Sequence, residues 1–476
     1  TTASPTGRLR KSTKLNVMQS SRREFIKQQA ALSMGMIAVP LSTAKHVGTG
    51  QAEHSGEKVV KELGGKTLET LCGWYKSQLF DRFLVNMDRF VVDHDYGGFM
   101  CAVDISSGEL LATHKRTWYE GRGLWTYAFL YNRLLKDNRI LEVASRSMDF
   151  IMKHRPAKDG FWPSSFTREG QVLHSAGDDN PWISEAGDIY GNLFVAEGLA
   201  AYACAIGDDR YFETAKQIML DSMAIYEAPG YRYSIDYLSP NAPSIPGIRV
   251  LGHWMVALRA ATQMLEYAPD PAIAQIADHC VNAIMQHHLN PAYELLNEAL
   301  NRDFSVPANE FNQFAYLGHG IETLWMVMAE AIRRRDAALF ERARKSFRRH
   351  VEVAHDVVYG GYFRSCDHVD NHTWKTDKAL WLQEEVLIGT LLLVKCTGDE
   401  WAQQCFTQTY RYVCDTFIKP DYKFWVHAGD RKMEHYMANR AEHYHHPRHL
   451  MLNLLALEEL IENGGKVLDP FQNSGV

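Results

Sequence analysis

Residues 321–340 read Ile321-Glu322-Thr323-Leu324-Trp325-Met326-Val327-Met328-Ala329-Glu330-Ala331-Ile332-Arg333-Arg334-Arg335-Asp336-Ala337-Ala338-Leu339-Phe340. Ile321, Leu324, Trp325 and Met328 form an apolar stripe at helical spacing, and a second helical pattern starts directly after Asp336. The stretch is a helix, a tight turn containing aspartate, and another helix. The same turn recurs at Asp137, Asp208, Asp270 and Asp399. It is a repeat of rhythm rather than of sequence.

Working outward, the spacing predicts twelve helices: 67–92, 122–136, 138–154, 187–206, 208–227, 252–268, 271–289, 312–334, 335–354, 377–397, 399–418 and 446–463. Each even helix passes to the next odd one through a short turn. The remaining connections, 93–121, 155–186, 228–251, 290–311, 355–376 and 419–445, are long. They carry Trp118, Trp162, Trp182, Trp374 and Trp425, and loops of that length in a compact domain are usually functional. Short turns at one end and long loops at the other predict an all-α (α/α)6 barrel, a toroid of six helical hairpins with the even helices inside. An open helical solenoid shares the rhythm. Six pairs suffice to close a ring and no polar terminal cap is evident, so closure is expected.

Composition narrows the partners. Hydrophobic residues at 46% and charged residues at 23% describe a globular chain with ample core material. The formal charge of −6 hides a basic start, with seven Lys/Arg and one acid up to Ala44, so the rest is more acidic still. An acidic body is a poor partner for nucleic acid or an anionic membrane. Ser21-Arg22-Arg23-Glu24-Phe25-Ile26-Lys27 matches the twin-arginine export pattern, followed by an apolar run from Ala30 to Leu41 and the small-x-small Ser42-Thr43-Ala44. The expected layout is 1–44 export signal with an upstream extension, 45–66 linker, 67–463 barrel and 464–476 tail. The mature protein would be periplasmic or extracellular, with no membrane insertion once the signal is removed; a homodimer is compatible with the sequence. Eight cysteines show no C-x-x-C pair and no zinc-like spacing, and read mainly as small core residues.

Arg122, His253, His319, Glu322, Glu385 and His445 all fall near the start of an even helix. In a closed ring those starts converge on one mouth. His319 and Glu322, three apart, share a helix face. On an inner helix that face looks into the lumen, where a carboxylate can orient an imidazole and raise its basicity. Glu442-His443-Tyr444-His445-His446-Pro447-Arg448-His449 invites a metal reading, but it has no ligand pattern such as H-E-x-x-H. No metal or other cofactor is expected.

Five motifs stand in order along the chain: Tyr96-Gly97-Gly98-Phe99, Lys115-Arg116-Thr117-Trp118-Tyr119-Glu120-Gly121-Arg122, Gly318-His319-Gly320-Ile321-Glu322, Lys378-Ala379-Leu380-Trp381-Leu382-Gln383-Glu384-Glu385 and Tyr444-His445-His446-Pro447-Arg448. In these the chain, over about 67–463, resembles the N-acylglucosamine 2-epimerase superfamily, which includes cellobiose 2-epimerases and aldose–ketose isomerases. The resemblance implies an (α/α)6 barrel and a small-molecule carbohydrate substrate. It also implies catalytic roles for His319, Glu322 and His445, with Arg122 on the substrate oxygens near the reacting carbon. His253, Trp381, Glu385, Trp118 and Arg116 would bind substrate, although a helix-terminal charge explains Glu385 equally well.

The implied chemistry wants two imidazoles. One removes the proton at C2 of an open-chain aldose, and the other returns a proton to the opposite face. A glycoside hydrolase or lyase on the same toroid would instead need two carboxylates flanking a bond, for which Asp178, Asp179, Glu384 and Glu385 are available. A non-catalytic carbohydrate-binding protein is the third reading.

Overall fold

The five turn aspartates are helix N-caps. Asp137 accepts the backbone N–H of Arg139, Asp208 that of Arg210, Asp270 those of Ala272 and Ile273, Asp336 that of Leu339, and Asp399 that of Ala402. Each satisfies a donor that a helix start leaves orphaned, typically stabilising by about 1 kcal/mol. Three of the preceding helices stop at left-handed residues, Gly207, Arg335 and Gly398. A left-handed stop followed by a capped start reverses the chain within a few residues.

The computed structural model describes residues 58–156, 160–173, 187–233 and 245–471. The export segment 21–27, Trp182, and the hydrolytic candidates Asp178 and Asp179 lie outside the described residues. Among the described residues there are twelve helical rods. The first, α1, runs through Leu68–Lys76, a π-helical Ser77–Phe83 and Leu84–Phe90. Then come α2 (Thr117–Arg133), α3 (Asn138–Lys153), α4 (Ile189–Ile206), α5 (Asp209–Glu227) and α6 (Leu251–Tyr267). Next is α7 (Pro271–Asn282), extended by a π-helical Ala283–His288. The last five are α8 (Leu317–Arg334), α9 (Ala337–Ala354), α10 (Leu380–Thr397), α11 (Glu400–Phe417) and α12 (His445–Glu462).

The even helices pack in sequence, α2 on α4, α4 on α6, and so on to α12. Thr126 of α2 then donates to the carbonyl of His443, just before α12, at 3.1 Å. The ring is closed, so the chain is an (α/α)6 barrel and the solenoid is excluded. Inner α4 is buried without interruption from Ile189 to Ala203, whereas outer α3 buries little more than the stripe Ile140, Ala144, Ser147, Met148 and Ile151.

The sixth hairpin is assembled from both ends of the barrel. α1 packs on α12, Val59 pairs with Lys466, and the Val60 N–H donates to the Gly465 carbonyl at 2.7 Å. Residues 58–66 and 464–468, expected as linker and tail, therefore belong to the barrel, with Val60 and Leu63 in its core.

Short strands mark the mouth. Lys115–Arg116 pairs with Ser165–Phe166 ahead of α2, Arg249–Val250 with Ala299–Leu300 ahead of α6, and Lys378–Ala379 with Ala428–Gly429 ahead of α10. Two-residue strands have no readable period, so helix boundaries differ here from the expected ones. α2 starts at Thr117 rather than 122, and α8 at Leu317 rather than 312.

The repeat is one of sequence as well as rhythm at one pair of positions. Asp93, Tyr96-Gly97-Gly98, Lys115, Trp118, Glu120 and Arg168 recur at identical spacing as Asp356, Tyr359-Gly360-Gly361, Lys378, Trp381, Gln383 and Arg431. In each copy a fully buried lysine ammonium lies 3.0 Å from the aspartate, and the arginine pairs with it from outside at 2.9 Å. Burial would push both aspartates up, but the two cations outweigh it and hold them well below the usual carboxylate range. The Glu120 and Gln383 side chains accept the N–H of Phe99 and Tyr362, each at 3.0 Å. The Gly-Gly pairs all have positive φ, which only glycine adopts readily. This clamp fixes the first turns of α2 and α10, and with them Trp118 and Trp381.

All eight cysteines are free thiols, and six of them are buried.

Candidate functional site

The inner-helix starts carry their polar residues within the first six positions. His253 and His319 are the third residues of α6 and α8; Arg122, Glu322 and Glu385 are the sixth of α2, α8 and α10; His445 opens α12. Since the starts of all these helices lie at the mouth, the residues are brought to one level of the barrel.

Around His445 the hydrogen bonds determine where the protons are. Nη2 of Arg448 lies 2.5 Å from Glu322 Oε1 and 2.6 Å from Glu385 Oε1. Those two bonds use both of its hydrogens. His445 Nδ1, 3.0 Å from the same nitrogen and 2.9 Å from Glu385 Oε1, must therefore keep its own hydrogen and donate it to Glu385. That leaves the Nε2 lone pair as the acceptor. Burial pushes the imidazole down to about 3, with Glu322 pulling the other way, so it is neutral across the physiological range. Glu442 braces this end by accepting the backbone N–H groups of Tyr444 and His445 at 3.1 and 3.2 Å. Burial pushes Glu442 up, but the Arg440 and Arg122 guanidinium groups outweigh it and keep the carboxylate ionised.

His319 is held differently from the sequence expectation. Its Nδ1 lies 2.8 Å from Oε1 of Glu298, which is fully buried, while Glu322 is committed to Arg448. The shared helix face of His319 and Glu322 thus does not become a bond: the carboxylate that orients His319 comes from the long α7–α8 connection. Both histidines border Trp381, whose ring centroid is 5.9 Å from that of His319 and 5.3 Å from that of His445.

Arg122 completes the floor on the other side. Its guanidinium stacks on Phe194 at 4.2 Å, Tyr444 at 4.8 Å and Trp118 at 5.5 Å, and its Nε has no hydrogen-bond partner among the described residues. A cation held by ring faces keeps donors in hand for a ligand. Trp118 donates its indole N–H to Asp188 at 2.9 Å, and Arg116 stacks on Trp118 and Tyr119.

Two expected site residues stand apart from the open surface. His253 is 1% exposed and boxed by Tyr190 and Tyr233 at 4.5 Å and Tyr226 at 5.2 Å, with neither ring nitrogen hydrogen-bonded among the described residues. Burial holds His253 neutral, and His319 is close enough for its charge to be felt there. Glu385 is not a helix-terminal charge: it takes hydrogen bonds from His445, Arg448 and the Trp325 indole.

Among the described residues two sets of three could be read as metal ligands: Glu322, Glu385 and His445, and Glu384, His446 and His449. The chemistry of the donors argues against both. Arg448 is bonded inside the first. In the second, Asn453 donates to Tyr75, which donates to His449 Nε2; the ring hydrogen is left on Nδ1, facing Glu384. His446 Nδ1 also meets Glu384, at 2.6 Å. Both sets read as hydrogen-bond networks around carboxylates.

Sequence reasoning missed Glu298, Arg448 as the cation between two carboxylates, and Glu442. Arg448 stood inside a quoted motif without a role. Glu298 sits in a loop with no periodic signal, and only the fold brings it to His319.

Comparison with known proteins agrees with this geometry. The family model for N-acylglucosamine 2-epimerase (GlcNAc 2-epimerase) matches residues 97–447. The bovine (Bos taurus) N-acylglucosamine 2-epimerase is 24% identical over 387 residues, 76% of this chain and 84% of its own length. Among solved structures, cellobiose 2-epimerase from Bacillus thermoamylovorans superposes with a TM-score of 0.69 at 15% identity, covering 81% of this chain and 99% of that one. A D-mannose isomerase does so at 0.64 and 15%, covering 83% and 97%. At such identities the two structures speak for the fold alone, but the family match spans most of the barrel and its mouth: the chain belongs to the N-acylglucosamine 2-epimerase family and is an isomerase.

Proposed function

We propose that the protein epimerises or isomerises an aldose at C2 by proton transfer between His319 and His445. The observation that carries this reading is the pair of imidazoles that both border Trp381, each turned by a buried carboxylate at Nδ1. In the open-chain sugar the C1 carbonyl acidifies the C2 proton. One imidazole takes that proton at Nε2, and the C–H electron pair moves into the C1–C2 bond to give an enediolate with its charge on O1. The Arg122 guanidinium faces that charge. Because His445 is the neutral one, His319 is the group that carries a solvent-derived proton on Nε2; it gives that proton to the opposite face of C2 and yields the epimer, while delivery to C1, with the O2 proton passing to O1, yields the ketose. Trp381 and Trp118 offer ring faces for the sugar's C–H surfaces. Proton transfer of this kind is redox-neutral and leaves no bond broken beyond C–H. N-acylhexosamine, free hexose and disaccharide all remain within the substrate class.

Hydrolysis is disfavoured by the same geometry. Glu384 is occupied by His446 and His449, and Glu385 by Arg448, His445 and Trp325. Neither is placed as a carboxyl group ready to protonate a glycosidic oxygen.

NMR of candidate sugars in D2O tests the proposal: deuterium enters C2 without chain cleavage. His319→Ala and His445→Ala each lower the exchange by at least about a hundredfold while the fold persists. Full exchange in either variant removes that histidine from the mechanism. Cleavage of a disaccharide without exchange would falsify the epimerase reading in favour of a hydrolase, and sugar binding without exchange would favour a binding protein. Export through residues 21–27 belongs to the same proposal; Arg22→Lys together with Arg23→Lys leaves the protein in the cytoplasm, as cell fractionation would report.

A further inference from the structure

We infer that Glu298 is the positioning residue for His319: it fixes the proton on Nδ1 and leaves Nε2 as the atom that exchanges protons with the substrate. The inference rests on the two-histidine reading above and adds to it the group that makes His319 competent.

Glu298 is built in from both sides. Its carbonyl accepts the N–H of Leu251, the first residue of α6, at 2.8 Å, and its own N–H donates to Phe314, three residues before α8, at 3.0 Å. The following residues, Ala299 and Leu300, pair with Val250 and Arg249. The carboxylate is thereby held rigidly between the helix bearing His253 and the helix bearing His319, with Oε1 2.8 Å from Nδ1 and no exposure to solvent. A carboxylate accepts but does not donate, so the hydrogen in this bond belongs to the imidazole. That settles the tautomer in the same sense as Glu385 does for His445.

Three phenols face Glu298. Tyr226, Tyr233 and Tyr316 all feel its charge; burial is the main cause that pushes their phenols up, and Glu298 adds to it. His253, beside His319, is held neutral by burial. In such aromatic surroundings a carboxylate at hydrogen-bond distance favours the imidazolium that forms once His319 has taken a proton. The role is electrostatic and orientational, and no contact between Glu298 and substrate is needed.

The two contributions separate in variants. Glu298→Gln keeps an oxygen that accepts from Nδ1–H but removes the charge; Glu298→Ala removes both. In protein labelled at histidine, with the His319 signal assigned by its loss in His319→Asn, NMR gives the tautomer and the titration directly. Expected in Glu298→Gln is an unchanged tautomer with His319 needing roughly ten times more protons to charge. In Glu298→Ala the tautomer shifts toward Nε2–H. For activity, Glu298→Gln lowers kcat about tenfold to a hundredfold with KM within about twofold, and moves the His319-controlled limb of the pH profile to lower pH. Glu298→Asp recovers part of the loss. An unchanged tautomer in Glu298→Ala together with an unchanged titration in Glu298→Gln overturns the inference, whatever the activity. Absence of C2 exchange in the unaltered protein overturns the two-histidine reading instead, since the NMR arm does not depend on turnover.

Discussion

Glu385 Oε1 lies 2.9 Å from His445 Nδ1, and it receives Arg448 Nη2 at 2.6 Å on the same oxygen. One carboxylate therefore orients the imidazole and anchors the cation that also holds Glu322. Glu385→Gln keeps an acceptor for the imidazole but loses the negative charge that would favour the imidazolium and anchor Arg448, and its amide N–H₂ cannot accept from the Trp325 indole, which donates to Oε2 at 2.7 Å. A fall in kcat on the order of tenfold to a hundredfold is expected, with little change in KM. Steady-state kinetics of C2 exchange checks this; an equal rise in KM with kcat untouched would show Glu385 acting in binding instead.

Arg448 is a stability residue as much as a site residue. It is fully buried between Glu322 and Glu385. Arg448→Met leaves two carboxylates facing each other without a cation, which costs about 3–5 kcal/mol. The loss depends on pH in a defined sense. Without their cation these buried acids have raised folded-state pKa values, so the folded form binds protons more readily than the unfolded one. The variant then loses more stability as pH rises, and less at pH 5 than at pH 8. Thermal unfolding at the two pH values measures it; an equal loss at both would mean that the carboxylates never carried charge.

The clamp repeated at α2 and α10 contains its own comparison, because Glu120 stands where the second copy has Gln383. Burial pushes the Glu120 carboxyl up to about 8, partly opposed by Lys115. Folded Glu120 thus holds a proton that the unfolded chain, with its ordinary carboxylate value, releases. Its contribution is intact below the unfolded value and is lost as pH rises toward 8. Glu120→Gln removes this dependence. Gln383 bonds the Tyr362 and Ala379 carbonyls through its amide N–H₂, and Phe99 and Arg116 offer the equivalent carbonyls to an amide at 120. Stabilisation on the order of 1–4 kcal/mol at pH 8 is expected, vanishing near pH 4. Denaturant unfolding across that range checks it, and destabilisation at pH 8 would sink the argument.

The aspartate turns were legible in the sequence because a cap is a local interaction, complete within two or three residues. From Asp137, Asp208, Asp270, Asp336 and Asp399 the hairpins followed, and from the hairpins the ring. The register of His319, Glu322, Glu385 and His445 at the mouth followed in turn. What sequence could not show is non-local. Glu298 reaches His319 only because strand pairing brings Ala299–Leu300 to the start of α6. Arg448 reaches Glu322 across the ring. The N-terminal strand Glu62–Leu63 and the α12 exit read as linker and tail because short strands lack a period, although Val59 and Lys466 join them.

Gly318 offers a test that leaves every reacting group in place. It precedes His319 in the first turn of α8, and a Cβ there would sit 2.3 Å from Trp381 Cη2, well inside contact distance. Alanine favours helix over glycine by about 1 kcal/mol at an interior position, so propensity alone predicts a gain. The clash wins locally, because Trp381 is braced by Tyr316, His319 and His445 and must rotate to make room. Gly318→Ala therefore leaves thermal stability within about 1 kcal/mol of the parent, the two effects opposing each other. Sugar affinity weakens by about tenfold through the displaced indole. Tryptophan fluorescence on sugar titration reads the affinity and calorimetry the stability. Unchanged affinity with altered stability would show that Trp381 is a packing residue and not a wall of the sugar site.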